Sequence, residues 1–182
     1  MDKPGSAPLP HPTTPHGTMA ANSHRTHNPP QASAQVRLTG ELERATPLTV
    51  ADLRAMPQHT MPAKFLCGRL GAQRHEYTGT PLLGVLLAAR PRFDPAVRKD
   101  RVRFLVTVTG RDGHLAVLSW AEIDPQYGDT TVLLATSVDH HHLDTQGPQL
   151  VVPGDAAGGR YVSQITTIWV GPAIPTRPPT RR

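Results

Sequence analysis

A single cysteine, Cys67, stands in the 182 residues, so the chain cannot carry an internal disulfide framework. That fits a reducing, cytoplasmic setting. No apolar run approaches the ~20 residues that a membrane span requires. The first residues show no apolar stretch of the ~7–15 residues found in a secretory signal, and Met19 could serve as the start because nothing before it looks structural. There is no Walker loop, Rossmann fingerprint, nucleophile elbow or Cys-x-x-Cys pair. A basic stripe is also missing. The formal net charge is +5, but Lys3, Arg25, Arg177, Arg181 and Arg182 stand in the tails against Asp2, leaving 14 basic and 13 acidic residues between them. A nucleic-acid partner is therefore not expected.

Residues 1–35 contain seven prolines and four histidines among Ser, Thr, Asn and Gln, and 172–182 add four prolines. Such segments bury too little apolar surface to offset about 1–2 kcal/mol of backbone entropy per residue, so both tails are expected to be disordered. Between them, Val36–Gly171 is long enough for one modest core.

Within that stretch, Val36–Gly40 reads as a strand. Thr49 then opens a capping-box helix with Leu53 and Met56 facing inward, stopped by Pro57. His59–Leu70 reads as a strand carrying Cys67. Tyr77-Thr78-Gly79 reads as a turn into a buried helix over Pro81–Arg90. Val102–Thr109 and His114–Leu118 read as two strands joined by an Asp-Gly turn at Arg111-Asp112-Gly113. Ser119 caps a short helix, Thr130–Val138 is a further strand, and Asp139–Gly147 is a polar loop. The last stretch, GPQLVVPGDAAGGRYVSQITTIWV (Gly147–Val170), joins a short strand at Leu150–Val152 to a longer one through a loop with Gly154, Gly158 and Gly159. Such a loop can approach a ligand closely and present N–H groups to an anion, although most serve only as turns.

This closing run resembles the last motif of the oxidoreductase molybdopterin-binding domain, the cofactor domain of the sulfite oxidase family. YTGTPLLGVLLAA (Tyr77–Ala89) is similar to that family's Y-x-G segment, and the remaining blocks follow in the family's order from Val36 to Val170. The resemblance implies an α+β, mixed-sheet domain in a minimal single-domain form. It further implies a molybdopterin cofactor, oxygen-atom or two-electron transfer at molybdenum, a small-molecule substrate and an external electron acceptor. Under it Cys67 would be the metal's thiolate ligand, a soft donor suited to molybdenum, while Asp112 and His114 would lie near the metal face. Gly154, Gly158, Gly159, Arg160, Gln149, Ser163 and His140 would line the cofactor side. His24-Arg25-Thr26-His27 faintly echoes an upstream Arg-Asn-His segment.

The chain also departs from the family. Gln149 stands where an arginine is usual, Gln146 where a histidine is usual, and Cys67 is followed by Gly-Arg-Leu instead of Ala-Gly-Asn. Charged contacts to phosphate are about twice as strong as neutral ones, so each loss weakens the grip. These departures favour a second reading: a non-catalytic module that keeps the fold and binds a small ligand or protein. A third reading places a zinc- or nickel-type metal on His140 and His142 with Asp139, Asp144 or His114. Cys67 could equally be a small buried hydrophobe, and Arg160 a surface arginine.

Overall fold

The computed structural model describes residues 34–68 and 70–174. The segments expected to be disordered, the possible start at Met19, the His24–His27 echo and Arg69 lie wholly or largely outside them.

Among the described residues ten strands form two sheets, joined by three short helices. In the first, β1 (Gln35–Gly40) runs parallel to β10 (Ile165–Pro172). β2 (Leu48–Thr49) pairs with β1, β5 (Phe104–Gly110) with β10, and β6 (Leu115–Ser119) with β5, all antiparallel. The order is β2-β1-β10-β5-β6. In the second sheet, β3 (His59–Cys67) and β4 (Gly71–Pro81) form a long hairpin, β4 pairs with β7 (Leu133–Val138), and β7 carries β8 (His141–His142) and β9 (Gln149–Val151).

The helices arise where local chemistry demands them. Helix α1 (Val50–Ala55) starts at Thr49, whose hydroxyl accepts from the Asp52 N–H while Asp52 accepts from the Thr49 N–H. Leu53 is buried and Met56 packs against the core, as the sequence pattern required. Helix α2 (Leu82–Ala88) buries Leu82, Val85 and Leu86. Helix α3 (Trp120–Ile123) has a capping box built from Ser119 and Glu122.

Strand β7 shows how the site is positioned. Its residues point alternately to opposite faces. Leu134, with Val132 just ahead of the strand, joins the main core around Trp120, Leu118 and Ile168. Leu133 and Ala135 join a smaller cluster with Ala63, Tyr77, Val151 and Tyr161. The second sheet is thus apolar on both faces, and the smaller cluster is the floor of a cavity on its outer side.

Four expectations need correction. Tyr77-Thr78-Gly79 is not a turn but part of β4, whose pairing with β7 shifts register between Thr78 and Gly79. A Cβ on Gly79 would lie 2.2 Å from the Leu134 carbonyl oxygen, so the glycine serves close backbone approach. The strand expected to reach Leu70 ends at Cys67. Strand β5 begins at Phe104, because Val102 belongs to a 3-10 turn over Asp100–Arg103. The polar loop after Asp139 contains the two residues of β8.

Candidate functional site

The β3–β4 hairpin sets the cavity wall by register alone. Cys67 faces Gly71, Phe65 faces Gln73, Ala63 faces His75 and Met61 faces Tyr77. Residues two apart share a face, so Phe65 and Cys67 stand beside Gln73, His75 and Tyr77, with Val138 of β7 opposite Tyr77. The facing wall is the segment Ala157–Tyr161, which runs alongside the end of β3. The Leu66 N–H donates to the Ala156 carbonyl at 2.9 Å, and Leu66 bridges Ala157 in parallel. Between the walls lies a cavity of about 600 Å³, also lined by Leu66, Leu70, Gln149 and Ser163. That volume suits a small-molecule site.

The Phe65 and Tyr161 rings stack with centroids 4.1 Å apart, and Tyr77 lies 6.2 Å from Tyr161. Burial, the neighbouring Tyr161 and the Asp139 charge push the Tyr77 phenol up to about 12, against a hydrogen bond with Gln149 that lowers it. Burial likewise pushes the Tyr161 phenol up. The Tyr161 hydroxyl is buried and has no hydrogen-bond partner among the described residues. His75 is already engaged, its Nδ1 2.7 Å from Asp139 Oδ2 and its Nε2 3.4 Å from Gln73 Oε1. That His75 bond and the donated Glu76 N–H hold the exposed Asp139 carboxyl below the usual carboxylate range.

Of the residues singled out from sequence, Cys67, Gln149, Gly158, Gly159 and Ser163 line this cavity together. The others are placed elsewhere. Arg160 closes a short 3-10 turn and donates to both oxygens of Asp155 at 2.9 and 2.6 Å and to Glu122 Oε1 at 2.8 Å. Those two carboxylates hold its guanidinium firmly protonated. Its charge is therefore compensated within the protein and not presented to the cavity. Burial alone would raise Glu122, but the Arg160 hydrogen bond and the Ser119 N–H bring it below the ordinary carboxylate range.

Asp112 accepts the His114 N–H at 3.0 Å, as a residue of the Asp-Gly turn. The His114 Nε2 lies 3.0 Å from the Gly159 carbonyl, so this histidine braces the glycine loop and is not among the lining residues. Gly154 takes φ 90° in a turn outside the lining. His140, at φ 65°, is almost fully exposed and meets Glu76 at 3.6 Å, while His141 Nδ1 lies 2.8 Å from its own turn's Asp139 carbonyl. Among the described residues no three His, Cys, Asp or Glu side chains are grouped to hold a metal ion, so the histidine-cluster reading has no geometry behind it. Sequence reasoning missed Phe65, Gln73, His75, Tyr77 and Tyr161. The alternation Phe65-x-Cys67 and Gln73-x-His75-x-Tyr77 was the available signal, hidden by reading Tyr77–Gly79 as a turn.

The chain matches no family model, and no curated protein matches it. Among solved structures it is similar to the sulfane dehydrogenase SoxCD from Paracoccus pantotrophus, with a TM-score of 0.59 and 20% identity. The match covers 75% of this chain and 37% of that one. This likeness shows a shared fold, mixed α and β with two sheets and few helices, and the chain spans little more than a third of that neighbour's length. No helix among the described residues is long and apolar enough to cross a membrane.

A phosphate-bearing pterin makes three demands on this cavity. A thiol for a soft metal is present in Cys67, and uncharged groups for ring edges are present in Gln149 and Ser163. A cation for the phosphate is not found among the described lining residues, and Arg160 is committed to Asp155 and Glu122; Arg69, between the lining residues Gly68 and Leu70, lies outside the described residues. The described residues fit the ring and the metal end of such a group but not its charged end.

Proposed function

We propose that this domain is a binding module for a small uncharged molecule, built on a fold that it shares with a redox enzyme. One observation carries the reading: a cavity of about 600 Å³ whose described lining is aromatic, aliphatic, amide, hydroxyl and thiol, with its neighbouring arginine neutralised by two carboxylates. An anion placed there would meet no lysine or arginine among the described lining residues. A neutral ring would instead gain apolar burial against Phe65 and Tyr161.

A specific observation favours a second reading, the molybdopterin-dependent oxidoreductase. Cys67, half-buried, lines the same cavity as Gly158 and Gly159. In that case the thiolate would hold the metal, the group would supply two-electron chemistry, and an external acceptor would take the electrons.

Protein purified from a molybdopterin-producing host separates the two. Molybdenum measured near one equivalent, and lost in Cys67→Ala, would establish the enzyme. A neutral organic molecule recovered by denaturing extraction, with molybdenum at trace level in both proteins, would establish the binding module.

A further inference from the structure

We infer that the tip of the β3–β4 hairpin docks on an anionic membrane surface, with Leu66 and Leu70 settling among the lipids and Lys64 and Arg74 meeting headgroup phosphates. This surface is independent of what the cavity takes, although both leucines also line the cavity.

The register orders the tip. Strand β4 pairs with β7 only from Tyr77 to Pro81, so among the described residues 71–76 pair with β3 alone. Cross-strand partners share a face, and so do residues two apart. One face of this two-stranded ribbon therefore carries three exposed rows: Leu66 opposite Ala72, Lys64 opposite Arg74, and Pro62 opposite Glu76. Leu66 and Leu70, the latter in the turn ahead of these rows, are 58% and 74% exposed. Arg69, between Gly68 and Leu70, lies outside the described residues.

The basic row has no use inside the fold. Like charges directly opposite each other on a sheet are destabilising. Neither Lys64 nor Arg74 pairs with a carboxylate among the described residues, and the Glu76 carboxylate faces His140 at 3.6 Å. A cavity of about 340 Å³ lined by Lys64, Arg74, Ala72 and Ala156 leaves room for an anionic group beside both cations.

The spacing suits a bilayer. An antiparallel strand rises about 3.4 Å per residue, so the basic row lies about 7 Å behind the Leu66 row. Apolar side chains at a membrane surface settle about 5–10 Å into the headgroup boundary. Apolar, then basic, repeats the bilayer's own order of hydrocarbon, then phosphate, and Glu76 stands one row further back. An acidic protein would neutralise the cations without calling for leucines ahead of them.

The test is sedimentation of the full chain with vesicles of phosphatidylcholine alone or mixed with an equal part of phosphatidylserine. Polyglutamate and inorganic phosphate are titrated calorimetrically as rival anions. The protein is expected to bind the mixed vesicles about tenfold or more tightly than the neutral ones. Lys64→Ser/Arg74→Ser should lose about tenfold of that binding, and Leu66→Ser/Leu70→Ser a similar amount. Lys64→Arg/Arg74→Lys, which keeps both charges, should retain it. No vesicle binding, equal binding to both vesicles, or undiminished binding in the first serine pair overturns the proposal. A loss confined to the charge pair overturns the settling of the leucines. Polyglutamate binding without vesicle binding assigns the tip to an acidic protein, and phosphate binding alone makes it a site for a free anion; both overturn the membrane. If the serine pairs fail to fold, parent binding that added salt leaves unchanged overturns the basic row.

Discussion

Arg160 and Glu122, 38 positions apart in the chain, meet at 2.8 Å and tie the glycine loop to the start of α3. The same glutamate uses its other oxygen to accept the Ser119 N–H at 2.8 Å. One carboxylate therefore caps a helix and orients the arginine beside the cavity wall.

Removing that carboxylate should cost two interactions at once. Glu122→Ala is expected to lower unfolding free energy by about 1–2 kcal/mol, a lost cap plus a pair discounted because both groups are about a third exposed. Glu122→Gln keeps one acceptor oxygen, which can serve the Ser119 N–H or the Arg160 guanidinium but not both, and should lose less than Glu122→Ala. Urea denaturation at neutral pH measures both. Equal losses would mean that the negative charge, not the capping, is what matters.

Tyr161→Phe should leave the protein as stable as before, or raise it by up to about 1 kcal/mol. The hydroxyl is buried without a described partner, so its removal abolishes a desolvation penalty while the stack on Phe65 stays. Thermal unfolding of the two proteins decides the matter. A loss above about 1 kcal/mol would mean that the phenol has a partner after all.

Stability should fall at both ends of the pH scale for different reasons. Asp139, Glu122 and Asp124 sit below their ordinary values in the fold, so their contribution is present above the usual carboxylate range and is lost as the pH falls through it. Tyr77 works in the opposite sense. Its folded value near 12 lies above the ordinary 10.0, so its contribution is complete below 10 and is lost as the pH rises towards 12. Urea midpoints recorded across that alkaline window should decline in the parent protein and decline less in Tyr77→Phe.

How far these relationships could be read from the chain depended on their range. The Thr49 cap, the Asp-Gly turn and the alternation of β5 are set by neighbours within a few residues, and each emerged where the sequence pointed. The cavity depends on pairings between distant segments. Cys67 and Ser163 line one cavity only because β3 turns back on β4 and the loop before β10 docks on Leu66. Nor could the sequence reveal that Arg160 is spent on Glu122 and Asp155, since a guanidinium's partners are a matter of tertiary contact.

Gly79 supplies the most stringent check on that topology. Read locally, Tyr77-Thr78-Gly79 is a turn, and an exposed turn glycine with ordinary angles accepts alanine at little cost. In the fold the same glycine pairs with β7 so closely that a Cβ would sit 2.2 Å from the Leu134 carbonyl oxygen and 2.5 Å from the Ala135 Cα. Both obstacles are backbone and cannot rotate away, so the strands would have to separate at the point where Gly79 pairs with Ala135. Gly79→Ala is therefore expected to destabilise by about 3 kcal/mol or more, the upper end for overpacking a core. Gly113→Ala in the Asp-Gly turn, where a Cβ would meet nothing within 4 Å, carries only the strain of its φ of 82° and should lose less. Parallel urea titrations of the two variants rank them. A milder loss at Gly79 than at Gly113 would overturn the close β4–β7 pairing, and with it the wall that carries His75 and Tyr77.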